Sequence, residues 1–150
     1  MTVANQTIVL LIGLPGSGKS TWVAQQDATA ISSDAVRHLL ADDATDQTIH
    51  GRVFATMRYL LRHRLAIGRP VTYIDATHLT PGERKPYAEI AAWYGADLEA
   101  VFFDVPIDVC IARNLGRARV VPEEAIRLMA QKLRPPTLAE GFKRIQVITA

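Results

Sequence analysis

The feature that most constrains this chain is the stretch at 13–20, Gly-Leu-Pro-Gly-Ser-Gly-Lys-Ser, which fits G-x-x-x-x-G-K-[ST] in full. The apolar run at 8–12 before it is typical of a buried strand, and residues 21–26 after it are typical of a helix start. In that setting the glycines allow a tight turn, and successive backbone N–H groups and the helix dipole point at an anion. We therefore predict a phosphate-binding loop rather than a glycine-rich turn with a chance lysine.

The chemistry of this loop predicts a nucleoside triphosphate, ATP or another, together with Mg²⁺. The ammonium of Lys19 would reach the β- and γ-phosphates, and the hydroxyl of Ser20 would bind Mg²⁺. The predicted nucleotide-binding residues of the loop are Gly13, Gly16, Ser17, Gly18, Lys19, Ser20 and Thr21.

Length and composition predict one globular domain over residues 1–150, with 49% hydrophobic and 21% charged residues. The net charge of +2 is too small to be a nucleic-acid signature by itself. The single cysteine, Cys110, excludes an internal disulfide, and its apolar surroundings indicate a core thiol in a reducing, cytoplasmic compartment. No basic residue precedes the first apolar run, which is only as long as a strand, so we expect neither a signal peptide nor a membrane contact.

The order of strands and helices predicts the fold class. Apolar runs bounded by turn signals predict strands at 7–12, 30–32, 71–75, 99–105 and 144–149. Helices are predicted between them, at 19–26, 33–40, 48–67, 81–94, 106–115 and from 122 to the Pro135-Pro136 pair. The alternation of strands with helices over the whole chain implies an α/β chain of parallel βαβ units with right-handed crossovers, whose ligand lies at the carboxyl ends of the strands.

Two of these helices carry further signals. The helix at 48–67 has an apolar stripe, Ile49, Val53, Met57, Leu60, Leu61 and Leu65. Its other face carries Arg52, Arg58, Arg62 and Arg64, with Arg69 beyond Gly68, its predicted C′ residue; this is either a solvated face or one that attracts a polyanion. In the helix at 81–94, Thr80 and Glu83 form a capping-box pattern, while Pro86 should bend the helix or delay its regular part.

The pattern Ser32-x-Asp34-x-x-Arg37 follows the second strand and faces the same rim as the phosphate loop. The Asp34 carboxylate could accept a proton from an acceptor hydroxyl, since phosphoryl transfer depends mainly on positioning and charge stabilisation. Arg37 lies one helical turn on, and its planar guanidinium suits an acceptor phosphate. The alternative is that Asp34 caps the helix and Arg37 pairs with it, and the spacing leaves both interpretations open.

The third strand ends in a carboxylate and is followed by a histidine. Asp75 stands where a Walker-B acid does and could hold Mg²⁺ through water. For His78 we favour a polar loop residue over a catalyst.

A basic segment follows the fourth strand. Between residues 111 and 134 there are six basic residues and two acids, and three of the bases are Arg113, Arg117 and Arg119. A basic loop at 116–121 opposite a phosphate site predicts a lid that closes over the nucleotide, excludes water and stabilises the transferring group. Cations that complement a helix dipole would account for one of these arginines but not for three.

These motifs occur in an order that resembles the kinase module of bacteriophage and bacterial polynucleotide 5′-kinases. The likeness rests on the phosphate loop, Ser32-x-Asp34-x-x-Arg37, and the segments at 75–81, 103–106, 113–122 and 135–142. It implies a P-loop NTPase fold: a parallel sheet of about five strands in the order 2-3-1-4-5, with helices on both faces and a basic lid.

The resemblance also implies an activity, the transfer of the γ-phosphate of ATP to the 5′-OH end of RNA or DNA. It makes Asp34 the general base that takes the proton from the 5′-hydroxyl. It makes Arg37 the contact to the phosphate on the acceptor's 3′ side. On the donor side it matches Lys19, Ser20, Arg113 and Arg117. His78 stands where asparagine is common in that family, and the shorter lid leaves Arg119 without a matched role.

Two other interpretations remain open from the sequence. The chain could phosphorylate a small-molecule hydroxyl, such as a nucleoside, sugar or antibiotic, in which case Arg37 would bind no acceptor phosphate. It could also be a nucleotide-dependent binding module without phosphoryl transfer. The preference for DNA or RNA and the oligomeric state do not follow from the sequence.

Overall fold

The computed structural model describes residues 5–149 and contains a five-stranded parallel sheet. The strands are β1 (Thr7–Ile12), β2 (Ala30–Ser32), β3 (Val71–Asp75), β4 (Asp97–Asp104) and β5 (Arg144–Thr149). Their order is β2-β3-β1-β4-β5, with every neighbouring pair parallel. The predicted fold class and strand order are therefore confirmed. The predicted domain over 1–150 includes residues 1–4 and 150, which lie outside the described part.

Six α-helices and one 3₁₀ turn connect the strands in the described part of the chain. They are α1 (Lys19–Ala24), α2 (Ser33–Ala41), α3 (His50–Ala66), α4 (Pro81–Tyr94), α5 (Ile107–Asn114), α6 (Glu123–Lys132) and the 3₁₀ turn at Leu138–Glu140. Most predicted bounds agree within two residues, whereas the 3₁₀ turn was not predicted. None of the helices within 5–149 combines the length and the apolar character needed to cross a membrane.

The central strand β1 divides the core into two clusters because successive side chains point to opposite faces of a sheet. Ile8, Leu10 and Ile12 belong to the cluster that includes buried residues of α3 and α4. Val9 and Leu11 belong to the cluster that includes buried residues of α1, α5 and α6. Helices therefore cover both faces, and the carboxyl ends of β1 and β3, in register at Leu11 and Asp75, reach the same edge.

The apolar stripe of α3 is narrower than predicted. Val53, Met57, Leu61 and Leu65 are at most 4% exposed, but Leu60 is 41% exposed, so its predicted place in the stripe is wrong. The buried positions repeat every four residues, and a side chain one position before such a site points about 100° away. On the predicted basic face, Arg64 donates to the Thr72 hydroxyl and the Val71 carbonyl and so joins α3 to β3.

The start of α4 departs from the predicted capping box in one bond. The Thr80 hydroxyl accepts from the N–H of Glu83, as expected, but the Glu83 carboxylate accepts from Leu79 N–H rather than from Thr80. The helix runs without interruption from Pro81, so the predicted delay at Pro86 is wrong. Proline removes a single N–H near the N-terminus of this helix, which costs it only one bond.

A buried arginine that sequence reasoning missed fastens α4 to the segment after α6. Arg84 is 1% exposed, donates to the carbonyls of His78, Leu79 and Arg134, and forms an ion pair with Glu140 at 3.2 Å. Glu140 in turn caps the 3₁₀ turn. This network holds the segment that leads into β5 against the loop that follows β3.

Candidate active site

The loop between β1 and α1 has the backbone that its glycines predict. Gly16 and Gly18 have φ values of +82° and +101°, in the left-handed region that favours glycine. A side chain on Gly16 would also collide with the carbonyl of Cys110 in α5, so two constraints require glycine there. The N–H of Gly13 donates to the carbonyl of Thr77 at 3.1 Å, which ties the loop to the end of β3.

Lys19 is held at the inner side of this loop. Its Nζ donates to the carbonyls of Gly13 and Leu14 at 3.0 and 2.9 Å, and the residue is 9% exposed. Burial lowers the pKa of Lys19 from 10.5 to about 8, although the nearby Asp75 carboxylate opposes that shift. The charge of Lys19 therefore depends on pH in a range where an exposed lysine stays protonated.

Ser20 and Asp75 form an oxygen pair beside the loop. The Ser20 hydroxyl donates to Oδ2 of Asp75 at 2.7 Å, and Asp75 is buried at the carboxyl end of β3. Mg²⁺ prefers one or two such oxygens together with substrate phosphates over a cage made only of protein. Residues 5–149 contain no cluster of three or more His, Cys, Asp or Glu side chains that could hold a metal. The pair fits Mg²⁺ bound with a nucleoside triphosphate.

Two buried polar atoms support a polyphosphate ligand in the same place. Within the described chain, Ser17 Oγ in the loop and Arg117 Nη1 above it have no hydrogen-bond partner. Buried donors without partners are costly in a folded protein. Phosphate oxygens of a bound nucleotide are acceptors of the kind that these donors need.

A cleft of about 340 Å³ joins the phosphate loop, the start of α2, the end of β3 and the lid. It brings together most of the residues predicted from sequence, and its volume is that of a small ligand site. The predicted residues that line it are Gly16, Gly18, Lys19, Ser20, Thr21, Asp34, Asp75, Arg113 and Arg117. Gly13, Ser17 and Arg37 are described by the structure but do not line this cleft.

Asp34 lies in the first turn of α2 with its side chain 38% exposed towards the cleft. The capping alternative is not what is observed, because Ser32 is the N-cap and its hydroxyl accepts from Ala35 N–H at 3.3 Å. The pairing half of that alternative is observed, since Nη1 of Arg37 lies 3.7 Å from Oδ1 of Asp34.

Arg37 lies beneath Asp34 rather than beside it in the cleft. It is 4% exposed, and its Nη2 is 3.4 Å from Nδ1 of His50. Burial lowers the pKa of Arg37, which the Asp34 carboxylate opposes. Its predicted contact with an acceptor phosphate stays a prediction, and its position makes it a support for Asp34.

The lid is the basic loop at 116–121. Asn114, which we did not single out from the sequence, bonds to Val121 and joins the two ends of this loop, and we call this pair the neck. Asn114, 1% exposed, donates through Nδ2 to the Val121 carbonyl at 2.6 Å and accepts from Val121 N–H at 3.0 Å. Arg113, Arg117 and Arg119 all line the cleft. Asn114 follows Arg113 in the motif, which was the only signal for it.

His78 lies in the loop after β3, as predicted, but it is buried, which the sequence did not indicate. It is 2% exposed, has a φ of +47°, and donates from Nδ1 to the Leu11 carbonyl at 2.6 Å. Its ring packs edge-on against Tyr87. Burial lowers the pKa of His78 to about 4, so the imidazole is neutral at pH 7.

The burial of His78 predicts a loss of stability in acid. Between pH 6.5 and about 4 the unfolded chain protonates this histidine and the folded chain does not, so the free energy of unfolding falls by about 3 kcal/mol as the pH drops through that range. In His78→Asn this contribution should disappear, while asparagine tolerates the left-handed backbone. Urea unfolding of both proteins at pH 7 and pH 4.5 measures the difference, and an identical pH dependence would contradict the assignment.

A parallel sheet of order 2-3-1-4-5, a phosphate loop after β1 and helices on both faces define the α/β P-loop kinase fold. Residues 8–136 match the family model AAA_33, described as AAA domain, and the chain belongs to that family. Membership in this group of P-loop kinases implies ATP binding, typically with Mg²⁺.

Two curated relatives show how the chain compares with longer proteins. It is 30% identical over 155 residues to the transcription factor bHLH140 of Arabidopsis thaliana, covering 95% of this chain and 16% of that protein. It is 28% identical over 89 residues to the L-seryl-tRNA(Sec) kinase of Homo sapiens, covering 59% and 26%. The chain thus spans about a quarter or less of the length of these relatives.

Two solved structures share the fold. A chain of the Pnkp1/Rnl/Hen1 RNA repair complex superposes with a TM-score of 0.74 at 22% identity, covering 88% of this chain and 45% of that one. A gluconokinase from Sinorhizobium meliloti gives a TM-score of 0.61 at 19% identity, covering 99% and 84%. At these identities the likeness concerns the fold alone, and the kinases that share it act on different acceptors.

Proposed function

We propose that this P-loop kinase domain transfers the γ-phosphate of ATP to the 5′-hydroxyl end of a polynucleotide, RNA or DNA. The observation that carries the proposal is the Asp34 carboxylate, which faces the cleft that Lys19 and Ser20 also line. The names of two similar proteins, an RNA repair complex that shares the fold and a tRNA kinase, support a nucleic-acid acceptor.

In the proposed reaction Asp34 accepts the proton of the 5′-hydroxyl as that oxygen bonds to the γ-phosphorus. The bond from the γ-phosphorus to the bridging oxygen breaks, ADP leaves, and Asp34 later releases its proton to water. A carboxylate suffices as base because the transition state is loose and depends on positioning and charge stabilisation. Lys19, Arg113 and Arg117 stabilise the charge on the transferring group.

Ser20 and Asp75 would hold Mg²⁺ in this proposal. When bound, the ion neutralises charge on the donor phosphates. The hydroxyl of Ser20 and the carboxylate of Asp75 already share a hydrogen bond at 2.7 Å, so both oxygens lie at one place beside the phosphate loop.

One observation favours a second candidate, a kinase for a small-molecule hydroxyl. Arg37, the residue expected to bind an acceptor phosphate, is 4% exposed and lies outside the described cleft lining. If no other residue takes that role, an acceptor without a phosphate, such as the substrate that the name gluconokinase implies, would fit as well.

An acceptor screen separates the two candidates. Radiolabelled ATP is incubated with 5′-OH DNA, 5′-OH RNA, nucleosides, nucleoside 3′-monophosphates and gluconate, and the labelled products are resolved. We expect label at the 5′ end of the oligonucleotides, removable by phosphatase, and none on matched oligonucleotides that carry a 5′-phosphate. Label confined to gluconate or nucleosides would favour the small-molecule kinase. ATP hydrolysis without any labelled acceptor would contradict both.

A further inference from the structure

The lid residue without a matched role, Arg119, contacts the proposed base directly. Its Nη1 lies 2.5 Å from Oδ1 of Asp34, closer than either of the other arginines around that carboxylate, Arg37 at 3.7 Å and Arg117 at 3.8 Å. Arg119 lines the cleft and its side chain is 26% exposed. It therefore stands where an acceptor must approach Asp34.

The Asp34 carboxylate is shared among several cations. Three guanidinium groups surround it, and no other acid within the described chain forms an ion pair with them. Asp43 and Asp46 bring charge nearby, but their carboxylates accept from Thr45 and Thr48 rather than from an arginine. A phosphate on the acceptor side would give these arginines a direct partner.

The three arginines are not equally available to such a ligand. Arg37 is buried beneath Asp34. Arg117 has a buried nitrogen that lacks a hydrogen-bond partner, and this nitrogen suits the donor phosphates. Arg119 is the cleft-lining arginine that remains. Its planar guanidinium can bind a phosphate through two parallel hydrogen bonds, whereas it contacts the Asp34 carboxylate at a single oxygen.

We propose that Arg119 is a specificity-determining residue: it binds a phosphate of the acceptor next to the reacting hydroxyl, and in turning to that phosphate it frees Oδ1 of Asp34 to accept the hydroxyl proton. The inference rests on the proposed function and adds the residue that recognises the acceptor. It gives Arg119 the acceptor contact that the family resemblance implied for Arg37.

The test compares a nucleoside 3′-monophosphate with the unphosphorylated nucleoside, both with a free 5′-hydroxyl. Wild type should prefer the phosphorylated acceptor. Arg119→Ala should lose about 10- to 100-fold in kcat/KM for the phosphorylated acceptor, mainly through KM, while activity towards the nucleoside should rise because Arg119 no longer occupies Oδ1 of Asp34. Arg119→Lys, which keeps the charge but not the fork, should recover part of the loss. Arg127→Ala removes an exposed arginine paired with Glu123 outside the cleft lining and serves as the matched control.

The outcomes separate this inference from the proposed function. If wild type phosphorylates both acceptors and Arg119→Ala keeps the preference, or loses both activities equally, Arg119 does not recognise the phosphate and only this inference falls. If wild type phosphorylates neither of these acceptors nor a 5′-OH oligonucleotide, the proposed function falls and the inference with it. ATP binding and thermal unfolding of each variant check that the fold is intact, and Arg119→Lys provides the same comparison should Arg119→Ala fail to fold.

Discussion

Replacing Asp34 with asparagine is expected to lower kcat for phosphoryl transfer by about 10²- to 10⁴-fold while ATP affinity changes little. Asparagine has the same shape and can still accept from Arg119, but it cannot take the proton of the acceptor hydroxyl. Steady-state transfer from ATP to a 5′-OH oligonucleotide, together with an ATP titration, measures both quantities.

The matched control for this substitution is Asp43→Asn. Asp43 also precedes a threonine-rich polar turn near the cleft but does not line it, and its carboxylate is used by Thr45. We expect activity within about twofold of wild type, the range of surface substitutions. If Asp34→Asn were equally active, Asp34 would not be the base.

Replacing Lys19 with methionine is expected to lower kcat/KM by at least about 10²- to 10³-fold, because a preorganised cation aimed at the transferring group is lost. Methionine fills much of the same space, so the loop should keep its shape. Single-turnover transfer at saturating ATP separates the chemical step from binding. The control, Lys132→Met, removes an exposed lysine at the end of α6, and a comparable loss there would contradict the role of Lys19.

Because the pKa of Lys19 is lowered, we also expect kcat/KM to depend on pH. In free enzyme the ammonium is lost as pH rises through about 8, so kcat/KM for ATP should fall above that pH. In Lys19→Arg the guanidinium stays charged, so whatever activity the variant keeps should not show this fall. A fall at the same pH in both proteins would assign the titration to another group.

The fold could be predicted from local sequence patterns because each pattern determines the structure of a short segment. The phosphate-loop motif places β1 against α1, and the buried run at β4 and the capped start of α4 fix strand and helix with few alternatives. Because the crossover connections between parallel strands are right-handed, only a few arrangements of the strands in the sheet are then possible. The burial of Cys110 likewise followed from its apolar neighbours.

The parts of the site that were not predictable depend on contacts between distant segments. Spacing places Arg37 on the same helix face as Asp34, but the burial of Arg37 depends on contacts outside α2, among them the one with His50 of α3. The ion pair between Arg119 and Asp34 joins residues 85 positions apart, through a loop whose path no local pattern specifies. The burial of His78 was not predictable for the same reason, since its partner Leu11 lies 67 positions away.

The neck that Asn114 forms with Val121 affects how the entropic cost of ordering the lid is divided between folding and ligand binding. A loop of this length without such a closure would lose backbone freedom when it ordered around a ligand. Here the two ends of the loop are joined during folding, so that part of the cost does not fall on ligand binding, which still has to order the arginine side chains at about 0.5–1.5 kcal/mol each. The Asn114–Val121 pair thus transfers part of the entropic cost of ordering the lid from ligand binding to folding.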